Sequence, residues 1–203
     1  MARVDAHEKV IILSDSIWKY CEPPYQSTFV PIRGAVVRTF TRLIRRREYN
    51  LLDYELLVLH VGSNDVDNAF RRSTGRNESH WSDEVVARDI FYDFEQLVSI
   101  IKHQNNNISI ILSGILPRPK TFTAAAGTTI LVNKKLAKFC KERGDLHFNH
   151  TYRIYLHHSQ PKLELFAKDR EHLSRKGTMV ATLTLKNMVS LYYQGRLSFS
   201  TKN

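Results

Sequence analysis

The residues of this chain best suited to chemistry are Ser16, Asn64, Asp169 and His172, with Gly34 standing between the first two. Ser16 ends the run Val10-Ile11-Ile12-Leu13-Ser14-Asp15-Ser16, where a short apolar stretch of buried-strand type turns abruptly polar. A hydroxyl placed where a strand gives way to a helix can be lifted out of the sheet and presented to a substrate. Acyl transfer needs such a nucleophile, a base to take its proton and a group to orient that base. His172 can take the proton, and Asp169, three residues earlier, can hold the imidazole tautomer. Each residue also has an ordinary use. Ser16 can form a turn or a helix cap, Gly34 a strand-to-helix turn and Asn64 an Asx-turn. Asp169 and His172 can simply be exposed.

Taken in order, Ser14-Asp15-Ser16, Gly34, Gly62-Ser63-Asn64-Asp65 and Asp169-Arg170-Glu171-His172 resemble the four sequence blocks of the SGNH (GDSL-type) hydrolases. That family is named for a Ser in Gly-Asp-Ser, a Gly, an Asn in Gly-x-Asn-Asp and a His in Asp-x-x-His. The resemblance runs from about residue 9 to about residue 192, and Gly62-Ser63-Asn64-Asp65 after the run Leu56 to Val61 is its most specific part. It implies a serine hydrolase acting on a small ester, without cofactor or metal. Ser16 would be the nucleophile, His172 the base and Asp169 its orienter. The oxyanion would be held by the N–H groups of Ser16 and Gly34 and the side-chain amide of Asn64. The wording of Leu59 to Asp65, Ser113 to Pro117 and His172 to Gly177 is most similar to the esterase-like domains encoded by some retrotransposons. The rival is the Oskar-type SGNH-like domain, which lacks catalytic residues and binds RNA. One departure stands out: Ser14 occupies the position of the family's Gly. A positive φ there would strain Ser14 and misaim the Ser16 N–H.

The formal charge of +10 suggests attraction to polyanions such as RNA or DNA, or to an acidic membrane surface. The candidate contacts are Arg42, Arg45, Arg46, Arg47, Arg71, Arg72, Arg175 and Lys176, with Tyr152, Tyr155, Tyr192 and Tyr193 able to stack on bases, although most of these tyrosines are expected to be partly buried instead. Charge runs are also commonly just solvated faces. Cys21 and Cys140 form no ligand motif or disulfide framework, and the histidines show no metal-ligand spacing. The first residues contain no apolar stretch of the signal-peptide kind, and no run approaches the length of a membrane span. The expectation is an intracellular protein, or a domain of one, with a leader over 1–8, one domain over 9–194 and a flexible tail over 195–203.

The elements that must position these residues alternate. Apolar runs predict strands over 9–14, 29–33, 56–61, 108–112 and 146–148. Helical spacing predicts helices over 35–49, 82–107, 131–141 and 174–193, with Ser82 and Ser174 as caps, Gly144 as a stop and an interruption at Gly177. Pro31 demotes the second strand. Residues 66–81, 120–128 and 149–168 are expected to be loops or irregular. Strands alternating with helices imply right-handed crossovers and a parallel sheet. The predicted fold is therefore α/β: a three-layer α/β/α sandwich with a parallel five-stranded, flavodoxin-like sheet. Ligands bind such sheets at the carboxyl ends of the strands. Ser16, Gly34 and Asn64 each follow an apolar run, so they should converge on that edge.

Overall fold

The computed structural model describes residues 9–24, 26–75 and 82–197, of which 73–75 are described by backbone only. The expected leader and most of the expected tail lie outside the described residues. The main sheet is five-stranded and wholly parallel: β1 (Val10–Asp15), β2 (Ser27–Ile32), β3 (Leu56–His60), β4 (Ser109–Ser113) and β5 (Leu146–Asn149), in the spatial order β2-β1-β3-β4-β5. The predicted layered α/β architecture is the one observed. Pro31 sits in β2, which is an edge strand, where the ladder tolerates a missing N–H.

The two faces of the sheet bury different partners. Ile11, Leu13, Leu57, Leu59, Ile110 and Leu112 pack against α1 (Val37–Arg45), α3 (Asp83–Gln104) and α4 (Phe122–Arg143). The alternate residues Val10, Ile12, Leu56, Val58 and Ile111 pack against α5 (Arg175–Tyr193) and the aromatic segment before it. Strand alternation thus divides one sheet between two cores.

Two segments expected as loops are helical. Residues 63–75 form α2, beginning directly at the end of β3. Its sequence is too polar to show a 3.6-residue apolar period. Tertiary contacts hold it instead: Val66 and Asp67 are buried, and the Asp65 carboxylate accepts the N–H that opens α1. Residues 76–81 of the expected loop lie outside the described residues. The second case is α4, which starts nine residues earlier than its apolar period, at Phe122 rather than Leu131. Between Phe122 and Ile130 the extra turns are built from Ala, Thr and Gly. Ala125 and Thr128 are buried there, and the Thr128 hydroxyl donates to the carboxylate of Asp83 at the start of α3.

Gly177 does not interrupt α5. It lies inside the helix, where a Cβ would fall 1.9 Å from the Leu165 carbonyl oxygen. The segment 149–168 is only partly irregular, with short 3₁₀ helices at His150–Tyr155 and Leu163–Leu165 and a hairpin of two-residue strands between them. Among the described residues no helix is long and apolar enough to cross a membrane.

Candidate active site

Ser16 stands at the carboxyl end of β1, on a turn made by its neighbours. Asp15 accepts the Ile17 N–H at 2.9 Å and caps the 3₁₀ turn Ser16–Trp18, while Ile17 and Trp18 are buried beneath it. This anchors the turn and leaves Ser16 half-buried at the sheet edge. Its Oγ lies 3.5 Å from Nε2 of His172, a loose contact of the kind that tightens when substrate arrives.

The imidazole is delivered by a tight loop organised around Asp169. Asp169 Oδ1 accepts the N–H groups of Glu171 (2.9 Å) and His172 (3.0 Å), and Oδ2 faces His172 Nδ1 at 2.7 Å. One carboxylate therefore shapes the loop and orients the ring it carries. These hydrogen bonds hold the Asp169 carboxyl down to about 2. An ionised acceptor at Nδ1 selects the tautomer whose Nε2 lone pair points at Ser16. Arg170, between the two, takes a left-handed φ of 58°. Its carbonyl accepts the Lys120 N–H at 3.1 Å, which ties the loop to the segment after β4.

Gly34 has φ +69°, and a Cβ there would meet nothing within 4 Å. The backbone conformation rather than space favours glycine. Asn64 lies in the first turn of α2, half-buried, and its amide is pinned at both ends. Nδ2 donates to the Ala35 carbonyl at 2.9 Å, and Oδ1 accepts from an Arg118 guanidinium nitrogen at 3.0 Å. One of the two amide hydrogens remains for a ligand. Ser16, Gly34 and Asn64 all lie at the carboxyl edge of the sheet, following β1, β2 and β3.

Ser14 is buried in ordinary extended backbone, and its hydroxyl donates to the Asp15 carbonyl at 2.8 Å. Among the described residues the non-glycine positions with positive φ are Gln26, Arg47, His158, Ser159 and Arg170. The strain expected from a serine at position 14 is therefore absent. The chain bends after Asp15, not at Ser14.

Three features escaped the sequence reading. Asp15 is fully buried, with Oδ2 lacking a hydrogen-bond partner, and burial pushes its carboxyl up to about 6. His60, the last residue of β3, stacks face to face on Trp18 at 4.1 Å and 2°. Its Nδ1 meets the Ser113 hydroxyl at 3.2 Å, and burial pushes the ring down to about 3, so it is a neutral support under the Ser16 turn. The third is Arg118, buried between Asn64 and Asp67. Its sequence cue was its place just beyond the carboxyl end of a strand, where ligand-facing residues gather. Among the described residues no three His, Cys, Asp or Glu side chains gather as a metal site.

The basic candidates separate into two groups. Arg42, Arg45, Arg46 and Arg47 are exposed at the carboxyl end of α1, which runs from the site edge toward the opposite edge of the sheet. Arg71, Arg175 and Lys176 are exposed on the site side, and Arg72 is exposed farther along α2. Arg71 approaches Glu171, the neighbour of His172, at 3.9 Å, and Arg175 and Lys176 open α5 just after the histidine loop.

The five-stranded parallel sheet and its flanking helices have the architecture of the SGNH hydrolases. A GDSL-like lipase from Bacteroides thetaiotaomicron superimposes with a TM-score of 0.67 at 18% identity, covering 91% of this chain and 89% of its own. A carbohydrate esterase of family 3 from Talaromyces cellulolyticus gives 0.65 at 13% identity, with 92% and 98% covered. The C-terminal catalytic domain of peptidoglycan O-acetyltransferase A from Streptococcus pneumoniae gives 0.65 at 12%, with 97% and 99% covered. At these identities the likeness is one of fold. No protein-family model and no curated protein matches the sequence.

Proposed function

We propose that the chain is an SGNH-type serine hydrolase of carboxylic esters. The observation that carries this reading is the line from Asp169 through His172 to Ser16, at 2.7 and 3.5 Å. Ser16 Oγ attacks the ester carbonyl carbon while its proton passes to His172 Nε2. The resulting oxyanion is held by the N–H groups of Ser16 and Gly34 and the free amide hydrogen of Asn64. Collapse expels the alcohol, which takes the proton back from His172. Water then attacks the acyl-serine with the same base, and the carboxylic acid leaves. Asp169 stabilises the transient imidazolium without itself being protonated. The fold shared with lipases and esterases is consistent with this chemistry but does not select it.

The test is turnover of a short-chain p-nitrophenyl ester. Wild-type protein should turn it over, a fluorophosphonate should stop it by labelling Ser16, and Ser16→Ala should be unlabelled and inactive. Equal turnover in wild type and Ser16→Ala would overturn the reading.

We also propose that this hydrolase serves a chain that handles nucleic acid, as a retrotransposon-encoded esterase domain would. The support is the charge of +10 and the wording of the blocks around Asn64, Gly114 and His172. Binding of RNA or DNA that strengthens steeply as salt is lowered would bear this out. Absent or salt-insensitive binding would remove it and leave the esterase reading intact.

A further inference from the structure

The segment after β4 carries an arginine that reaches the proposed oxyanion site without facing the substrate. Arg118 is 9% exposed at its side chain, and Asp67, its ion-pair partner in α2, is 5% exposed. One guanidinium nitrogen bonds Asp67 and the other donates to Asn64 Oδ1 at 3.0 Å. Asp67 is held in turn by the Thr121 hydroxyl at 2.9 Å. The chain of contacts therefore runs Thr121–Asp67–Arg118–Asn64 and ends on the one side-chain donor proposed for the oxyanion.

We infer that Arg118 is a positioning residue for this reaction, fixing and polarising the Asn64 amide. This rests on the hydrolase reading above. Two physical effects support it. An amide whose oxygen faces a guanidinium cannot turn over, because its NH2 group would then confront a second donor. A cation on the amide oxygen also draws charge from the nitrogen, and hydrogen bonds in series strengthen one another in a low-dielectric site. Arg118 thus makes the remaining Asn64 N–H both better aimed and a stronger donor, at the moment negative charge develops on the substrate oxygen. Lysine cannot replace it, since a single ammonium point cannot span Asp67 and Asn64 as the planar fork does.

Removing Arg118 alone would leave Asp67 buried and unpaired, so the informative variant is Arg118→Met with Asp67→Asn. It should lower kcat on the p-nitrophenyl ester by about 10- to 100-fold with KM nearly unchanged, approaching the loss expected for a missing oxyanion donor. In an Asn64→Ala background the same pair of changes should cost less than about twofold, because the group it positions is gone. An equal fold-loss in both backgrounds would overturn the inference and assign Arg118 a general structural role. A second readout does not need turnover: the Asn64 side-chain amide protons, observed by NMR. They should be shifted from free-carboxamide values and slow to exchange with solvent in wild type, and should move toward those values and exchange faster in the Arg118→Met/Asp67→Asn protein. Unchanged amide signals in that variant would overturn the inference. Signals shifted in this way, together with no ester hydrolysis by wild-type protein, would leave the positioning contact standing and remove the hydrolase reading instead.

Discussion

At the scale of single residues, the stretch Ser14-Asp15-Ser16 separates three jobs that the sequence presents side by side. Ser14 is strand, Asp15 is cap and Ser16 is presented hydroxyl. Because Ser14 carries no left-handed strain, Ser14→Gly should bring no relief. It removes a side chain from a buried strand and should lower stability by roughly 0.5–1 kcal/mol with ester turnover unchanged. A gain in stability in urea melts would contradict this. Asp15 makes the opposite case. Burial raises its folded pKa to about 6, against an unfolded value near 3.9. The folded protein therefore holds the Asp15 proton more tightly than the unfolded chain does. The contribution is full below about pH 4 and is lost as pH rises through 6, a span worth roughly 3 kcal/mol. Asp15→Asn keeps an oxygen for the Ile17 N–H and removes the charge. It should equal wild type at pH 4 and exceed it at pH 7.5 by up to about 3 kcal/mol in the same melts. A variant that stayed equal at both would show that Asp15 is not the group titrating.

At the scale of elements, legibility followed the hydrophobic period. The three central strands carry continuous apolar runs and α3 carries steps of three and four, so those were readable to within about three residues. α2 was not, because only Val66 and Asp67 of its central turns are buried and ion pairs rather than an apolar stripe hold it. The early turns of α4 failed for a related reason, since Ala, Thr and Gly give little hydrophobic contrast. Gly177 shows how a correct observation led to a wrong element: the glycine is there to let α5 approach Leu165, not to break the helix. The Leu165 carbonyl also accepts the Ser174 N–H at 3.0 Å, and residues 166 and 173 pair to close the loop carrying Asp169 and His172. Gly177→Ala should therefore push α5 off this loop. The expected loss is about 1–3 kcal/mol of stability, with a fall in turnover even at temperatures where the variant is folded. Wild-type melting and turnover would show that the loop is positioned by something other than this contact.

At the scale of the whole molecule, the site and the charge are distributed by different rules. The site residues arrive together because parallel strands end at one edge, so Ser16, Gly34 and Asn64 were placed by topology before any contact was known. Arg118 needed the third dimension: its place beyond β4 puts it at the site edge, but nothing in the local sequence says that it will be buried against Asn64. Charge obeys no such convergence. Arg42 and Arg45 to Arg47 end a helix whose nine residues span roughly 13 Å away from the site edge, whereas Arg71, Arg175 and Lys176 remain beside the histidine loop. The eight candidates therefore do not act as one block. Replacing Arg45, Arg46 and Arg47 by Ala should leave ester turnover at the wild-type rate at every salt concentration, because no group in the acyl-transfer line touches them. If those three contact phosphates, the same variant should lower the slope of log affinity against log salt by about three for single-stranded or duplex nucleic acid. Replacing Arg175 and Lys176 instead should alter the salt dependence of turnover itself whenever the ester carries a charge, since these two side chains open α5 next to His172. The pair of measurements, turnover and nucleic-acid affinity each across a salt series, assigns every cationic group to one process or the other. A loss of turnover in the Arg45/Arg46/Arg47 variant, with its fold intact, would contradict the separation argued from the direction of α1.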